Sequence, residues 1–387
     1  MKKAVMIGAG CIGRGFIGQA LADSGYQVCF LEIDPALVAA LNRQGGYTVR
    51  FCDADGSTSD HAVGPVRALH ANSPQATEEI AACDLLATAV GVRSLPQAAA
   101  TIAAGVALRA KAGGGPLDVL LCENQLHVDQ AARPLIYSHL SPDGQAWADA
   151  NLGLVQPSIG RIVPRPTAET CAAEPLLIVT EPYDELPVDR AAFRGPVPDI
   201  KGLVAYSPFD YYILRKLYLV NMAHALCAYL GWRKGYAFIW QAAEDAEIRG
   251  ALTAALGAIA RALGAAYGAD RLADAKSALA ELPKRFSNRA LGDTVLRVGA
   301  DPLRKLRRED RLVGAALFAI AHGQSAAPFL PGILAALRFD PPGDPAAQRL
   351  AALLREQGIG AALTGVMGLS PDDSLYGAVK SAWEETP

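Results

Sequence analysis

Short apolar runs alternate with helical patterns through the first third of the chain. Residues 4–7, 27–31, 84–90 and 118–122 are apolar runs with the length of buried strands. Between the last two, residues 95–112 are rich in alanine and follow a helical pattern. Strands that alternate with helices predict an α/β domain built on a doubly wound parallel sheet.

The pattern changes in the second half of the chain. Residues 155–186 are punctuated by prolines, and 176–180 read as an extra strand at the domain edge. Residues 211–230, 238–263, 272–282 and 311–322 then follow helical patterns rich in alanine and leucine. We therefore predict a Rossmann-like N-terminal domain with extra edge strands over 1–195 and a mainly α-helical substrate domain over 196–387.

A glycine-rich turn follows the first predicted strand. The sequence Gly8-Ala-Gly10-Cys-Ile-Gly13 begins where the apolar run ends, and a helical pattern comes directly after it. In this context Gly8 allows the tight turn, Gly10 allows the backbone to approach a pyrophosphate, and Gly13 allows the helix to pack on the strand. The glycine motif alone is common, but its position between a predicted strand and a predicted helix predicts dinucleotide binding.

An acidic residue ends the second predicted strand, about twenty residues beyond the glycines. Glu32 stands there, and a carboxylate at that position accepts hydrogen bonds from the adenosine ribose. Because it also repels a 2′-phosphate, NAD is favoured over NADP. A solvated strand end is the alternative for Glu32, and Asp34 is the second candidate for the ribose contact.

Composition narrows the class of protein. A chain of 387 residues is long enough for two domains, and a net charge of −3 argues against nucleic acid or an anionic membrane as the main partner. The glycines interrupt the apolar N-terminal stretch, so we expect no signal peptide and a soluble protein. Seven cysteines without a Cys-x-x-Cys pair indicate a reducing, cytoplasmic location, and six scattered histidines predict no metal site.

Three polar residues with catalytic potential lie on one predicted helix. At about 100° per residue, Lys216, Asn221 and His224 fall within a sector of roughly 140° along about 12 Å of helix. Apolar neighbours would bury Lys216 and lower its pKa toward that of a useful base. Asn221, together with Asn124 after the fourth strand, could donate to a developing alkoxide. The alternative is a solvated lysine, an asparagine that satisfies a loop and a core histidine.

Tyr212 and Lys216 also match the Tyr-x-x-x-Lys pair of short-chain dehydrogenases. In those enzymes the glycine pattern is spaced differently and the pair lies in the nucleotide domain. Here the pair falls in the predicted helical half, so we interpret Tyr212 as a packing residue.

With these residues in view, the chain resembles the mannitol dehydrogenase family of long-chain polyol dehydrogenases over nearly its whole length. The resemblance implies a metal-independent NAD enzyme that interconverts a polyol phosphate and fructose 6-phosphate, with Lys216 as acid and base and Asn124, Asn221 and His224 around the reacting oxygen. Arg304 and Lys305, in the densest basic cluster, are expected to hold the phosphate. The matching segments are 8–18, 88–91, 122–124, 161–164, 216–225 and 301–312. The expected cofactor contacts are Gly8, Gly10, Ile12, Gly13, Glu32, Val90 and Gly91.

The chain departs from the family pattern at two positions. Cys11 stands where the family usually has asparagine, and Gly160 stands where an aspartate usually precedes Arg-Ile-Val-Pro. The second change suggests one alternative, an NAD-binding homologue with impaired catalysis. A separate alternative is an oxidoreductase of an unphosphorylated polyol or a sugar acid such as a uronate. The family resemblance implies a monomer or a weak homodimer.

Overall fold

The computed structural model describes residues 2–166 and 168–385. These residues group into two units, the first formed by Met1–Asp53 and Ser57–Asp210 and the second by Ala54–Gly56 and Tyr211–Pro387. We predicted a boundary at 195/196, and the observed division along the main run of the chain follows Asp210.

The first unit contains all eleven strands described. They are β1 Lys3–Ile7, β2 Gln27–Glu32, β3 Tyr47–Cys52, β4 Thr58–Val63, β5 Val66–His70, β6 Leu85–Thr88, β7 Leu117–Leu121, β8 Leu152–Val155, β9 Ile178–Thr180, β10 Leu186–Asp189 and β11 Leu203–Tyr206. The four predicted strands correspond to β1, β2, β6 and β7.

The main sheet has six strands in the order β5-β2-β1-β6-β7-β8, and every neighbouring pair is parallel. The strand order reverses between β1 and β6, which is the doubly wound arrangement predicted from the sequence. At such a reversal the loops after the two strands separate and leave a crevice beyond their carboxyl ends. The glycine turn after β1 therefore begins at the switch point of the sheet.

The main sheet is covered on both faces. Ala4 and Met6 of β1 belong to one buried cluster with Phe16 and Phe30, whereas Val5 and Ile7 belong to the other. Successive side chains of a strand point to opposite faces, and both sets are buried here. This explains why β1 reads as a continuous apolar run instead of an alternating one.

Two small sheets complete the first unit. Strands β3 and β4 form an antiparallel hairpin that β9 extends by parallel pairing with β3, and β10 pairs with β11. The extra strand predicted at 176–180 is therefore β9, which belongs to the sheet of β3 and β4 and not to the main sheet. The two edges of the main sheet are formed by β5 and β8.

Helices of the first unit cover the sheet faces. They are α1 Gln19–Asp23, α2 Pro35–Gln44, α3 Pro74–Ala82, α4 Leu95–Lys111, α5 Val128–Tyr137, α6 Pro142–Asn151 and α7 Ala168–Ala173. A π-helical turn, Gly13–Gly18, precedes α1, and α4 matches the helix predicted at 95–112.

The second unit is helical, as predicted. Its helices are α8 Asp210–Leu214, α9 Met222–Arg233, α10 Ile239–Glu244, α11 Ala246–Tyr267, α12 Ala269–Phe286, α13 Val295–Gly299, α14 Pro302–Lys305, α15 Val313–Ala321, α16 Leu330–Leu337, α17 Pro345–Ala361 and α18 Ser374–Glu385, where α8 begins one residue before the unit boundary.

Two helical predictions need correction. Residues 238–263 do not form one helix, because Asp245 separates α10 from α11 and its side chain accepts hydrogen bonds from the backbone N–H groups of Glu247 and Ile248. An aspartate in extended conformation is a favoured helix N-cap, so it starts a new helix here. Residues 211–230 are helical but not uniformly α-helical, since Arg215–Asn221 form a π-helical turn.

Among the described residues, one helix, Ala246–Tyr267, is long and apolar enough to cross a membrane by length and composition. Its buried residues include Ile248, Leu252 and Leu263, and it packs on α12, α9 and α10 within the unit. The helix is therefore part of the hydrophobic core of the helical unit.

Candidate active site

The glycine turn has the close approaches that its sequence predicts. Gly8 has φ +95°, and a Cβ there would lie 2.7 Å from the carbonyl oxygen of Ala89 in the neighbouring strand segment. A Cβ on Gly13 would overlap the carbonyl oxygen of Gly8, whereas a Cβ on Gly10 would meet no atom within 4 Å. Glycine is thus required for packing at 8 and 13, while at Gly10 the backbone faces open space that a ligand can enter.

Two buried arginines hold the turn in place. The Arg14 guanidinium donates to the carbonyl oxygens of Ala9 at 2.7 Å and Leu176 at 2.9 Å, and Arg161 donates to Gly15 at 2.9 Å. Burial lowers the pKa of Arg161 to about 10, and its guanidinium stacks 4.2 Å from the Phe16 ring centroid. These charged groups therefore brace backbone carbonyls in and beside the turn.

Glu32 lies at the turn itself. Its carboxylate accepts hydrogen bonds from the backbone N–H of Ala9 at 2.9 Å, of Ile33 at 2.7 Å and of Asp34 at 3.1 Å. The negative charge is therefore fixed between the end of β2 and the glycine turn. Asp34, the second candidate, caps α2 by accepting from Ala36 at 2.9 Å.

A second carboxylate, which the sequence reasoning did not assign a role, organises the turn after β6. Glu123 is buried, and its two oxygens accept from the backbone N–H groups of Val90 at 3.0 Å and Gly91 at 2.7 Å. Asn124 follows it at the carboxyl end of β7. Glu32 thus ends β2, and Gly8, Gly91 and Asn124 follow β1, β6 and β7, so all four lie at the carboxyl ends of neighbouring strands, where ligands bind in doubly wound folds.

The structure explains the glycine at position 160. A Cβ on Gly160 would lie 2.8 Å from Cε1 of the Tyr183 ring. The Tyr183 hydroxyl donates to Glu185 at 2.7 Å, so the ring is held in that place. An aspartate at 160 would require this ring to move, and Tyr183 fills the space that such a side chain would enter.

Lys216 and Asn221 lie on a π-helical turn, so the α-helical spacing assumed for them is wrong. The N–H of Met222 bonds to the carbonyl of Leu217, five residues earlier, as a π-helix requires. Residues five apart then lie on the same face, whereas an ideal α-helix would separate them by roughly 140°. Lys216 and Asn221, which are both partly buried, therefore lie on the same face of the helix. Single π-helical turns inside helices occur frequently at functional sites.

His224 lies in the first turn of α9, three residues after Asn221. Its Nε2 is 3.0 Å from Oδ2 of Asp293, and its ring stacks on Phe286 with centroids 4.9 Å apart. Burial lowers the pKa of His224, although Asp293 acts in the opposite direction. The sequence reasoning missed Asp293; its only local signal is the opposite charge of Arg297 four residues later.

Tyr212 is buried and serves packing, as interpreted from its context. Its hydroxyl accepts a hydrogen bond from Arg271 at 2.8 Å, and its ring meets Tyr211 edge to face at 5.2 Å between centroids. The hydroxyl is thus engaged by a guanidinium from α12.

Carboxylate side chains lie among the basic residues around Arg304. Arg304 lies 3.2 Å from Asp310 and 3.5 Å from Asp301, and 36% of its side chain is exposed. Asp310 also accepts from the buried Arg311 at 2.8 Å. Lys305 is buried and donates to the carbonyl oxygen of Ala300, and burial lowers its pKa well below the ordinary value. Arg304 is therefore the member of the predicted pair that solvent reaches.

Within residues 2–166 and 168–385, no group of three or more histidine, cysteine, aspartate or glutamate side chains is arranged to hold a metal ion.

Comparison with known families identifies both halves of the chain. Residues 2–202 match the Mannitol dehydrogenase Rossmann domain, and residues 209–386 match the Mannitol dehydrogenase C-terminal domain. The chain is 37% identical over 382 residues to the mannitol-1-phosphate 5-dehydrogenase of Bacillus licheniformis, covering 98% of each chain. It is 38% identical to that of Brevibacillus brevis, covering 92% of this chain and 90% of the relative.

Solved structures share the fold at low sequence identity. A ternary complex of Pseudomonas fluorescens mannitol 2-dehydrogenase with NAD and D-mannitol has a TM-score of 0.75 at 17% identity, covering 99% of this chain and 91% of that one. A substrate-free D-sorbitol dehydrogenase has a TM-score of 0.72 at 18% identity, covering 87% and 79%. At these identities the likeness establishes the fold.

Proposed function

The chain belongs to the mannitol dehydrogenase family, and we propose that it is an NAD-dependent dehydrogenase that interconverts mannitol 1-phosphate and fructose 6-phosphate. The observation that carries this proposal is the identity of 36–38% with three relatives named mannitol-1-phosphate 5-dehydrogenase, over at least 92% of this chain. The proposed site residues add chemical support.

The carboxyl edge of the main sheet fits a dinucleotide. Gly10, Ile12 and Gly13 would present backbone N–H groups of the turn to the pyrophosphate, while Gly8, whose N–H donates to Leu31, would make the tight turn. Glu32 would accept from the ribose hydroxyls. Val90 and Gly91, held by Glu123, would border the nicotinamide half. The open space beside Gly10 supports this assignment, because a side chain there would obstruct the diphosphate.

Lys216 would act as acid and base in a metal-independent reaction. In polyol oxidation its neutral amine takes the proton of the C5 hydroxyl as the carbon–oxygen double bond forms. A bound NAD⁺ would accept the hydride from C5, which is the chemistry that the cofactor supplies. Asn124 and Asn221 would donate to the developing alkoxide, and His224 would bond a neighbouring hydroxyl. The products are fructose 6-phosphate, NADH and one proton.

Arg304 would hold the substrate phosphate, with Lys305 behind it. A guanidinium can clamp a phosphate with two parallel hydrogen bonds. The contacts of Arg304 with Asp301 and Asp310 are long, at 3.5 and 3.2 Å, so a phosphate with two negative charges can compete for it. A direct phosphate contact by Lys305 stays a prediction. Because Lys305 is buried, we infer that its main role is to support the surrounding backbone.

The same two carboxylates favour one alternative. Because Asp301 and Asp310 already balance part of the charge on Arg304, a related enzyme for an unphosphorylated polyol or a uronate would keep this cluster as a structural element. A catalytically impaired NAD-binding homologue is the further alternative that Gly160 raised.

One assay tests the proposal. NADH absorbance is followed while the purified protein meets fructose 6-phosphate, with fructose as the paired substrate and a chelator present throughout. We expect rapid oxidation of NADH with the phosphate and little with fructose. Equal rates with both sugars would favour the unphosphorylated alternative, and binding of NADH without turnover of any polyol or sugar acid would favour the impaired homologue.

Glu32 is expected to set the preference for NADH over NADPH. Glu32→Gln removes the charge that repels a 2′-phosphate, and its amide NH₂ must face one of the backbone N–H groups that Glu32 accepts from, a change that affects both cofactors in the same variant. The ratio of kcat/KM for NADH to that for NADPH should therefore fall about tenfold or more, equivalent to about 1.4 kcal/mol. Asp34→Asn is the matched control, because asparagine also caps a helix. A shift in Asp34→Asn and none in Glu32→Gln would assign the ribose contact to Asp34.

Glu123 is expected to matter for cofactor affinity. In Glu123→Gln an amide NH₂ must face one of the two backbone N–H groups that the carboxylate now accepts, which leaves a donor unpaired and costs about 1–3 kcal/mol. We expect the Kd for NADH, measured by fluorescence titration, to rise about tenfold. Glu181→Gln is the control, since Glu181 is equally buried and accepts from Ile162 at 2.6 Å. Equal Kd values for Glu123→Gln and the unmodified protein would contradict the prediction.

A further inference from the structure

The buried edge of the His224 ring faces the carboxylate of Asp293, which is held in turn by Arg297. Oδ2 of Asp293 lies 3.0 Å from His224 Nε2, at ion-pair distance but outside hydrogen-bond alignment, and that nitrogen is sealed from solvent with no other hydrogen-bond partner among the described residues. Arg297 donates to the same carboxylate through both arms of its guanidinium, at 2.6 Å to Oδ1 and 2.7 Å to Oδ2. A two-point contact of this kind fixes the direction as well as the position of a carboxylate.

The plane of the ring is fixed from a second direction. Phe286, at the end of α12, stacks on His224 with an interplanar angle of 12°. The backbone around Asp293 is anchored too, because its carbonyl accepts from Ile239 at 2.9 Å. His224 therefore has a defined ring plane, and Nδ1 lies on the ring edge away from the buried carboxylate.

The charges define which ring nitrogen carries the proton. Burial lowers the pKa of His224 by more than the contact with Asp293 raises it, and the positive charges of Arg297 and Arg311 add to the lowering, so the imidazole is neutral at neutral pH. Burial alone would raise the pKa of Asp293, but its contacts with His224 and with the Arg297 guanidinium lower it below the ordinary value, so the carboxylate is ionised. A neutral imidazole beside a carboxylate places its single N–H toward that carboxylate.

We propose that Asp293, clamped by Arg297, is a positioning residue that holds His224 as the Nε2–H tautomer, so that Nδ1 accepts a hydrogen bond from the substrate hydroxyl next to the reacting carbon. This inference rests on the proposed function, because it gives a direction to the contact between His224 and the polyol. The site then requires a donor at that position, and a substrate with a hydrogen or a carbonyl there leaves Nδ1 without its partner. An unpaired buried acceptor discriminates strongly against such analogues.

The proposal is tested first in the unmodified protein. Nitrogen-15 NMR of histidine-labelled protein distinguishes a protonated ring nitrogen from a bare one, and His224→Asn assigns the signal among the six histidines. We expect a protonated Nε2 with a strongly downfield proton and a bare Nδ1. A bare Nε2, or a doubly protonated ring at neutral pH, overturns the proposal. This readout does not depend on turnover, so it remains informative if the proposed substrate is wrong.

Asp293→Asn then tests the consequence for catalysis. We expect kcat for fructose 6-phosphate to fall at least about tenfold, as for other histidines oriented by a carboxylate, while the Kd for NADH is unchanged. The downfield shift of the Nε2 proton should diminish in the same variant. Asp373→Asn is the matched control, because Asp373 also has a two-point contact with an arginine, Arg308, and none with a histidine in the described part of the chain.

A loss of thermal stability with kcat unchanged would show that Asp293 is structural and would overturn the proposal. If Asp293→Asn does not fold, Arg297→Gln loosens the clamp while the carboxylate stays. Unchanged kcat together with an unchanged Nε2 proton in that variant overturns it equally.

Discussion

Replacement of Lys216 by alanine is expected to lower kcat for the reduction of fructose 6-phosphate by about a thousandfold, while the Kd for NADH stays the same. General acid and base catalysis by a positioned side chain contributes about 10²–10⁴ in rate, and no other amine is proposed to exchange the proton of the reacting oxygen. Steady-state measurement of NADH oxidation gives the rate, and fluorescence titration gives the affinity.

Two comparisons make this prediction specific. Added methylamine should restore part of the lost rate in Lys216→Ala, because a small amine can take the space of the missing side chain. Lys234→Met is the matched control: Lys234 belongs to the same unit and forms ion pairs with Asp245 at 3.0 Å and Glu247 at 2.6 Å. Full activity in Lys216→Ala would remove Lys216 from the chemistry and favour another acid and base.

The sequence predicts the parallel sheet because buried strands leave a simple signal. β1, β2, β6 and β7 each have both faces covered, so they read as uninterrupted apolar runs. The β3–β4 hairpin carries no such signal. β4 is mostly exposed along its length, and residues such as Asp60 and His61 resemble those of a loop. Its pairing with β3 is a tertiary contact that composition does not record.

The site residues proposed from the sequence are those for which a local pattern suggests the chemistry. The glycine turn, Glu32 and the Lys216-Asn221-His224 set each lie within a short stretch of sequence. Asp293 lies 69 positions after His224 in the sequence, so only folding brings the two side chains together. The π-helical turn could not be predicted either, because no residue pattern in this segment indicates a hydrogen bond between residues i and i+5. Candidate residues can be proposed from local patterns, whereas the partners that orient their side chains cannot.

Gly160 illustrates a limit of judging a departure residue by residue. From the sequence alone, the missing aspartate suggests a damaged site. In the structure, the Tyr183 ring lies where a side chain at 160 would begin, and Glu185 holds that ring by its hydroxyl. The glycine and the tyrosine are therefore two parts of one packing arrangement, so the departure is accommodated locally and is not by itself evidence for lost catalysis.

The basic cluster decides whether the substrate carries a phosphate, and Arg304 gives the sharpest test. Arg304→Ala is expected to raise the KM for fructose 6-phosphate about a hundredfold, because charge-assisted hydrogen bonds to a phosphate contribute about 1.5–3 kcal/mol. The slow reaction with unphosphorylated fructose should not change. Arg304→Lys keeps the charge but loses the two-point geometry, so its KM should lie between those of the other two proteins.

The control variant separates a phosphate contact from general loss of charge. Arg308→Ala removes a neighbouring guanidinium that Asp373 already engages at 2.8 and 3.1 Å, and we expect it to leave the KM unchanged. Removing Arg304 also leaves Asp301 and Asp310 facing a weaker positive field, so some loss of thermal stability should accompany the rise in KM. A loss of stability with no change in KM would mean that these carboxylates are the natural partners of Arg304. The unphosphorylated polyol or sugar acid would then be the better substrate.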